Sequence, residues 1–231
     1  MRSLLSILSF VVAACGTASS AQNATVVELY TSQGCSSCPP ADEMLAQLAS
    51  REDVIALALH VDYWDYLGWV DDLANPAHTE RQRAFARAKG SRTVYTPQMV
   101  FGGVDHVVGS RPMDVMDQLQ KHGSEPDNVD ITLSRTGDTL RIDATRVGSY
   151  QGDAVVQIVR FIPAVTREIR RGENAGRTLT YTNVVSSWQN AATWDTRSPL
   201  AIEAKLSGTD SVAVIIQNGT DGPVLGAAQL R

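Results

Sequence analysis

The chain has 231 residues, of which 43% are hydrophobic, 19% charged and 6% aromatic. These fractions suit an ordinary globular protein and exclude collagen-like, low-complexity and wholly disordered chains. A net charge of −5, from 20 basic and 25 acidic residues, argues against a nucleic-acid partner, and three cysteines are too few for a disulfide-stapled scaffold.

Arg2 gives a short positive start, Leu4 to Ala14 form an apolar run broken only by serines, and small residues follow. This layout predicts a secretory signal peptide over residues 1–21, with cleavage after Ala21 and a run too short to span a bilayer. Val12-Ala13-Ala14-Cys15 also resembles the bacterial lipobox. Lipidation of Cys15 is the one route to a membrane; plain secretion is the preferred reading. The expected location is periplasmic or extracellular, where disulfides persist. Asn23 and Asn218 open glycosylation sequons, which matter only in a eukaryotic pathway.

Thr25–Thr31 is β-branched and apolar, a buried strand. Gly34-Cys35-Ser36-Ser37-Cys38-Pro39-Pro40 is a turn, and Ala41–Ser50 is helical with Met44, Leu45 and Leu48 on one face. Val54–Val61 is a continuous apolar strand, as inside a parallel sheet. Residues 62–72 form an aromatic-rich loop, and Pro76–Lys89 a polar amphipathic helix ending at Gly90. Gln98–Phe101 and Val104–Val108 flank a Gly102-Gly103 hairpin, and Pro112–Lys121 is a short helix with proline first. The order predicts a mixed sheet with helices on its faces.

The breaker cluster Gly123-Ser124-Glu125-Pro126-Asp127 suggests a boundary, with one domain over 22–122 and a second over 123–231. The second holds short β-rich runs: Val129–Ser134, Thr139–Thr145, Ala154–Ile162, Thr166–Arg171, Arg177–Val185, Leu200–Leu206, Val212–Gln217 and Val224–Leu230. Such spacing reads as an all-β sandwich or barrel.

Cys35 and Cys38, three positions apart, can close a disulfide or chelate a metal. Between a strand and a helix, such a pair reads first as a redox motif: Cys35 attacks a disulfide and Cys38 resolves the mixed disulfide. A passive disulfide is the weaker reading, because so short a loop stabilises by only about 2 kcal/mol. Zinc wants four ligands, and His60, His78, His106 and His122 show no ligand spacing. A copper(I) carrier using both thiolates remains open.

The CxxC after the first strand and Thr96-Pro97 before the third together resemble the thioredoxin superfamily. The resemblance implies that Pro97 is cis and packs beside the disulfide, and that Thr96 faces substrate. Gln33-Gly34-Cys35-Ser36-Ser37-Cys38-Pro39-Pro40-Ala41-Asp42, His60-Val61-Asp62-Tyr63-Trp64-Asp65, Thr96-Pro97-Gln98 and Arg171-Gly172-Glu173-Asn174 are similar to a bacterial secreted family known only as a thioredoxin-like domain of unknown function. That resemblance spans nearly all of the mature chain and implies fold and export, but no substrate. Gly34 stands where thioredoxins carry tryptophan, and Pro39-Pro40 pushes the helix start to Pro39 or Pro40. Cys35 then feels less of the helix dipole.

In the loop after the second strand, Trp64 and Asp62 are candidates for positioning substrate, Asp62 or Asp65 as a proton acceptor near Cys38. The alternative is a structural plug with Asp62 capping a turn. His60 reads as a satisfied strand histidine, His78 as solvated and Met99 as core. Arg167, Arg170, Arg171 and Arg177 surround a Gly-rich tip, either an arm that folds over the redox site or edge protection by charge, the latter favoured. The expectation is a thioredoxin-like α/β domain followed by an all-β sandwich. Its function would be a thiol-disulfide oxidoreductase acting on protein or small disulfides, without cofactor. The alternatives are a copper(I) carrier and a non-catalytic envelope module with an inert disulfide.

Overall fold

The computed structural model describes the backbone of residues 17–20 and all of residues 24–230. The expected cleavage site, Cys15 and Asn23 lie outside the described residues. Strand β1 (Thr17–Ser20) pairs antiparallel with β6 (Val129–Thr136), so cleavage after Ala21 would leave β6 at a sheet edge.

The first half follows the local signals closely. Strands β2 (Thr25–Thr31) and β3 (Val54–His60) are buried at every position and pair in parallel, as apolar strands covered on both faces do. Helix α1 (Pro39–Ala49) starts at the first of the two prolines, which occupy positions that need no N–H donor. Helix α2 (Pro76–Ala88) is capped by Asn75, whose side chain accepts from the Ala77 N–H at 2.9 Å. Strands β4 (Gln98–Phe101) and β5 (Asp105–Val108) form the hairpin about Gly102-Gly103, and α3 (Pro112–Gly123) follows.

The second half is all β among the described residues: β6, β7 (Thr139–Arg146), β8 (Ala154–Glu168), β9 (Thr178–Trp194), β10 (Leu200–Lys205), β11 (Ser211–Gln217) and β12 (Val224–Leu230). Strands β1, β6, β7 and β10 make a four-stranded antiparallel sheet. The other eight strands form one mixed sheet in the order β12-β11-β8-β9-β3-β2-β4-β5. This sheet runs through both sides of the 122/123 boundary, because β9 pairs with the open edge of β3 at Ala58 and Val184. The breaker residues lie in the connection from α3 to β6, not at the end of a sheet.

Alternation along the central strands divides the core. Val156, Ile158, Val214 and Ile216 pack with Ile131, Leu133, Leu140 and Ile142 between the two sheets. Tyr30, Leu57, Phe161 and Ile215 pack with Phe85 of α2, whereas Leu29, Ala56 and Met99 pack with Leu45 of α1 and Leu119 of α3.

Two expected strands are one. β8, 15 residues long, runs through Pro163 as a single element paired with the 17-residue β9, where a break was expected after Ile162. Pro163 donates no hydrogen bond, and opposite it Asn183 adopts φ +51°. The pair interrupts the ladder without ending it, and the register is unchanged from Ile162–Val184 to Ala164–Thr182. Beyond it the strands pair only with each other, from Ala164–Glu168 to Thr178–Thr182, and leave the sheet as a two-stranded ribbon.

Candidate functional site

Cys35 and Cys38 are joined by a disulfide, with Cα atoms 5.4 Å apart. Cys38 is the N-cap of α1, and its carbonyl accepts from Ala41 and Asp42 N–H at 2.8 and 3.1 Å. Pro39 and Pro40 withhold two of the amide donors that a helix N-terminus normally presents. Cys35 is 2% exposed and Cys38 0%, whereas Ser36 and Ser37 face solvent.

Thr96-Pro97 is a cis peptide. Antiparallel pairing of Tyr30 with Gln98 sets Pro97 beside Thr31, at the sheet end from which the cysteine loop departs. Trp64 spans the gap: its Nε1–H donates to Thr96 Oγ1 at 2.7 Å, and its Cβ would lie 3.2 Å from a Cβ built on Gly34. A side chain on Gly34 would crowd the Trp64 Cβ and push the loop or the tryptophan back by a few tenths of an ångström. Asp62 turns the other way. Its carboxylate accepts from Thr79 Oγ1 of α2 at 2.6 Å. Asp65 accepts from the Asp71 N–H at 3.1 Å.

The acid groups around the cysteine loop are others, which sequence reading missed. Asp42, in the first turn of α1, accepts from Thr31 Oγ1 at 2.8 Å. Burial pushes its carboxyl up to about 7, against the lowering influence of His60 and the Thr31 hydroxyl. His60 Nδ1 lies 2.7 Å from Asp71 Oδ2, and its Nε2 is buried without a partner. The Tyr181 ring meets His60 edge-on with centroids 4.6 Å apart, and its hydroxyl is buried and unpartnered as well. His78, expected in solvent, is buried: α2 packs its polar face inward, and His78 Nδ1–H donates to the His60 carbonyl at 3.0 Å. Burial lowers its pKa to about 4.

Gln33 ties the loop down. Its N–H donates to Asp71 at 2.8 Å and its Nε2 to Asp72 at 2.9 Å, while its Oε1 accepts from Trp69 Nε1 at 2.7 Å. The tip of the β8–β9 ribbon closes over the same loop. Asn174, 2% exposed, donates from Nδ2 to the carbonyls of Gln33 at 3.0 Å and Cys35 at 2.9 Å. Glu173 accepts from the Ser36 N–H at 3.3 Å, and Gly172 packs against Trp69. Of the four arginines, Arg170 and Arg171 are exposed, as edge protection expects, whereas the other two reach toward the loop. Arg167 pairs with Asp72 at 2.8 Å and Arg177 donates to Asn174 Oδ1 at 3.2 Å. Among the described residues no group of three or more His, Cys, Asp or Glu side chains is placed to hold a metal ion.

A family model described as "protein of unknown function (DUF1223)" matches residues 26–217. The chain belongs to this family. Among solved structures, the family member resembles the X-ray crystal structure of a protein from Agrobacterium tumefaciens at 37% identity and a TM-score of 0.77. The match covers 91% of this chain and 96% of that one. An endonuclease/exonuclease/phosphatase from Beutenbergia cavernae matches at 16% identity and a TM-score of 0.22, over 45% of this chain and 23% of that one. That second likeness carries no argument about this DUF1223 chain. No curated protein matches it.

Proposed function

We propose that this DUF1223 protein is an exported thiol-disulfide oxidoreductase with a thioredoxin-like site at Cys35 and Cys38. The carrying observation is the CxxC disulfide at the start of α1, with cis Thr96-Pro97 in register on the strand beside it. In the reduced protein, the Cys35 thiolate attacks one sulfur of a substrate disulfide. A mixed disulfide forms and the other substrate sulfur leaves as thiolate. Cys38, deprotonated, then attacks Cys35 Sγ, releases the second substrate thiolate and closes the bond present here. Two electrons pass to the substrate, whose thiolates take up two protons, and a dithiol donor restores the pair.

The missing amide donors at Pro39 and Pro40 favour this direction. A thiolate with little stabilisation makes the disulfide the preferred form and the dithiol a better reductant. Redox titration of the pair against dithiothreitol is expected to give a potential nearer about −270 mV than about −120 mV. Cys35→Ser should abolish exchange and leave the fold intact; full activity in that variant would sink the assignment. One observation favours a second reading, an inert disulfide in a binding module: both cysteines are buried. A potential below about −300 mV would establish that reading instead.

A further inference from the structure

The ribbon that carries Asn174 is built differently from the sheet it leaves. Up to Ile162 and Val184, β8 and β9 lie inside the main sheet, flanked by β11 and β3. Beyond Pro163 and Asn183 they have no third strand. An isolated two-stranded ribbon is marginal in water, so its position depends on what it touches: along its length Tyr181 is buried against His60 and Ile169 is buried too, and at its tip the contacts are polar. The far end touches the cysteine loop and little else that is polar: two bonds from Asn174, one long contact from Glu173 and the exposed Arg167–Asp72 pair. Segments held this way sit at the low end of local opening free energies.

The near end is irregular. Pro163 removes a ladder donor, and Asn183 takes a left-handed conformation that strands avoid. The Asn183 side chain stays on the sheet side, donating to the Ala56 carbonyl at 2.9 Å. The pivot and the base of the ribbon are therefore anchored, by Asn183 and by the buried Tyr181 and Ile169, while the tip beyond Ile169 is held by the polar contacts to the cysteine loop. Glycines at φ +75° and +83°, Gly172 and Gly176, shape the turn that presents Asn174 inward.

We propose that Asn174 is a positioning residue for exchange at Cys35 and that the ribbon tip between Ile169 and Arg177 is a latch: it holds the Gln33–Ser36 backbone and screens the disulfide until it lifts. This rests on the redox reading of Cys35–Cys38. It reconciles that reading with the burial of both cysteines. A substrate reaches Cys35 only by displacing Asn174 from the Cys35 carbonyl. An extended peptide offering its own N–H to that carbonyl does so at little cost, whereas a small thiol has nothing to put in its place.

The test measures the rate at which dithiothreitol reduces the disulfide in the full protein, read by thiol-tagged mass. One dithiothreitol thiolate attacks Cys35 Sγ and expels the Cys38 thiolate. The second thiol then attacks the mixed disulfide, leaving both cysteines reduced and dithiothreitol as a cyclic disulfide. Asn174→Ala is expected to reduce about tenfold faster, the factor that one or two ordinary hydrogen bonds carry. Arg167→Ala, which leaves the loop carbonyls paired, should accelerate reduction a few-fold and serves alone if the first variant fails to fold. Hydrogen exchange should rise only at residues 33–36 and 169–177. Reduction at the wild-type rate in the folded variants, or exchange raised evenly across the protein, would overturn the latch. If the variants reduce faster but neither they nor the wild type reduce a disulfide substrate, the latch stands and the oxidoreductase reading falls.

Discussion

The Nε1–H of Trp64 donates to Thr96 Oγ1 at 2.7 Å, joining the loop after β3 to the residue that precedes cis Pro97. Because Gly34 lies against the Trp64 Cβ and carbonyl, this one residue touches both the cysteine loop and the Thr96-Pro97 peptide. Thr96→Val removes the acceptor and leaves a half-buried indole donor without its partner. The expected cost is about 1 kcal/mol in urea denaturation, and Trp64→Phe should cost more through lost packing. A double-mutant cycle should give a coupling energy of at least about 0.5 kcal/mol. Additive losses would show that the two residues do not act together.

What could be read ahead of the structure was local. The strands at Thr25–Thr31 and Gln98–Phe101 follow from β-branched and apolar runs, and the start of α1 from Pro39 and Pro40. What could not be read depends on distant partners. Asn174 and Cys35 are 139 residues apart, and nothing in a Gly-Glu-Asn tip signals what its carboxamide will meet. His78 reads as solvated because its helix is polar, yet His78, Thr79 and Gln82 are all buried. Their partners are the His60 carbonyl, Asp62 and Gln98, brought in by the sheet. Pro163 looked like a strand end because a missing donor usually is one; here Asn183 absorbs the irregularity.

Arg81 forms a paired contact with Glu28, at 2.7 Å for each nitrogen, and its guanidinium stacks 3.8 Å from the Trp188 ring centre. Glu28 is 2% exposed. Arg81→Met would strand a buried carboxylate and should cost about 3–5 kcal/mol. Arg81→Met combined with Glu28→Leu should recover much of that loss, because replacing both charges removes the stranded one. Equal losses in the single and double variants, measured by chemical denaturation, would show that packing against Trp188 dominates.

At the pivot, the two contributions of Asn183 can be separated. Asn183→Gly keeps the positive φ and removes the donor to the Ala56 carbonyl, with an expected loss of about 1–3 kcal/mol. Asn183→Ala adds the cost of a left-handed conformation, about 1–2 kcal/mol more. If alanine is tolerated better than glycine in thermal or urea unfolding, the backbone conformation is not constrained there.

Two buried groups of opposite sign shape the acid side of the stability curve. Asp42 has an ordinary value of 3.8 and is pushed up to about 7 by burial. Its folded form keeps a proton that the unfolded chain has lost, so its contribution is full below pH 3.8 and falls as pH rises towards about 7. His78 runs the other way. Its ordinary value is 6.5 and burial lowers it to about 4, so the unfolded chain binds the proton first. That contribution is full above pH 6.5 and is lost as pH falls towards about 4. Each alone would give a slope approaching about 1.4 kcal/mol per pH unit, and in the wild type they oppose each other across the shared window. Asp42→Asn should therefore make stability rise with pH between about 4 and 6.5 relative to wild type, and His78→Gln should make it fall. The differences from wild type, taken by urea denaturation at several pH values, cancel the titration of every other group. Parallel profiles for all three proteins would mean that neither group titrates abnormally in the folded state.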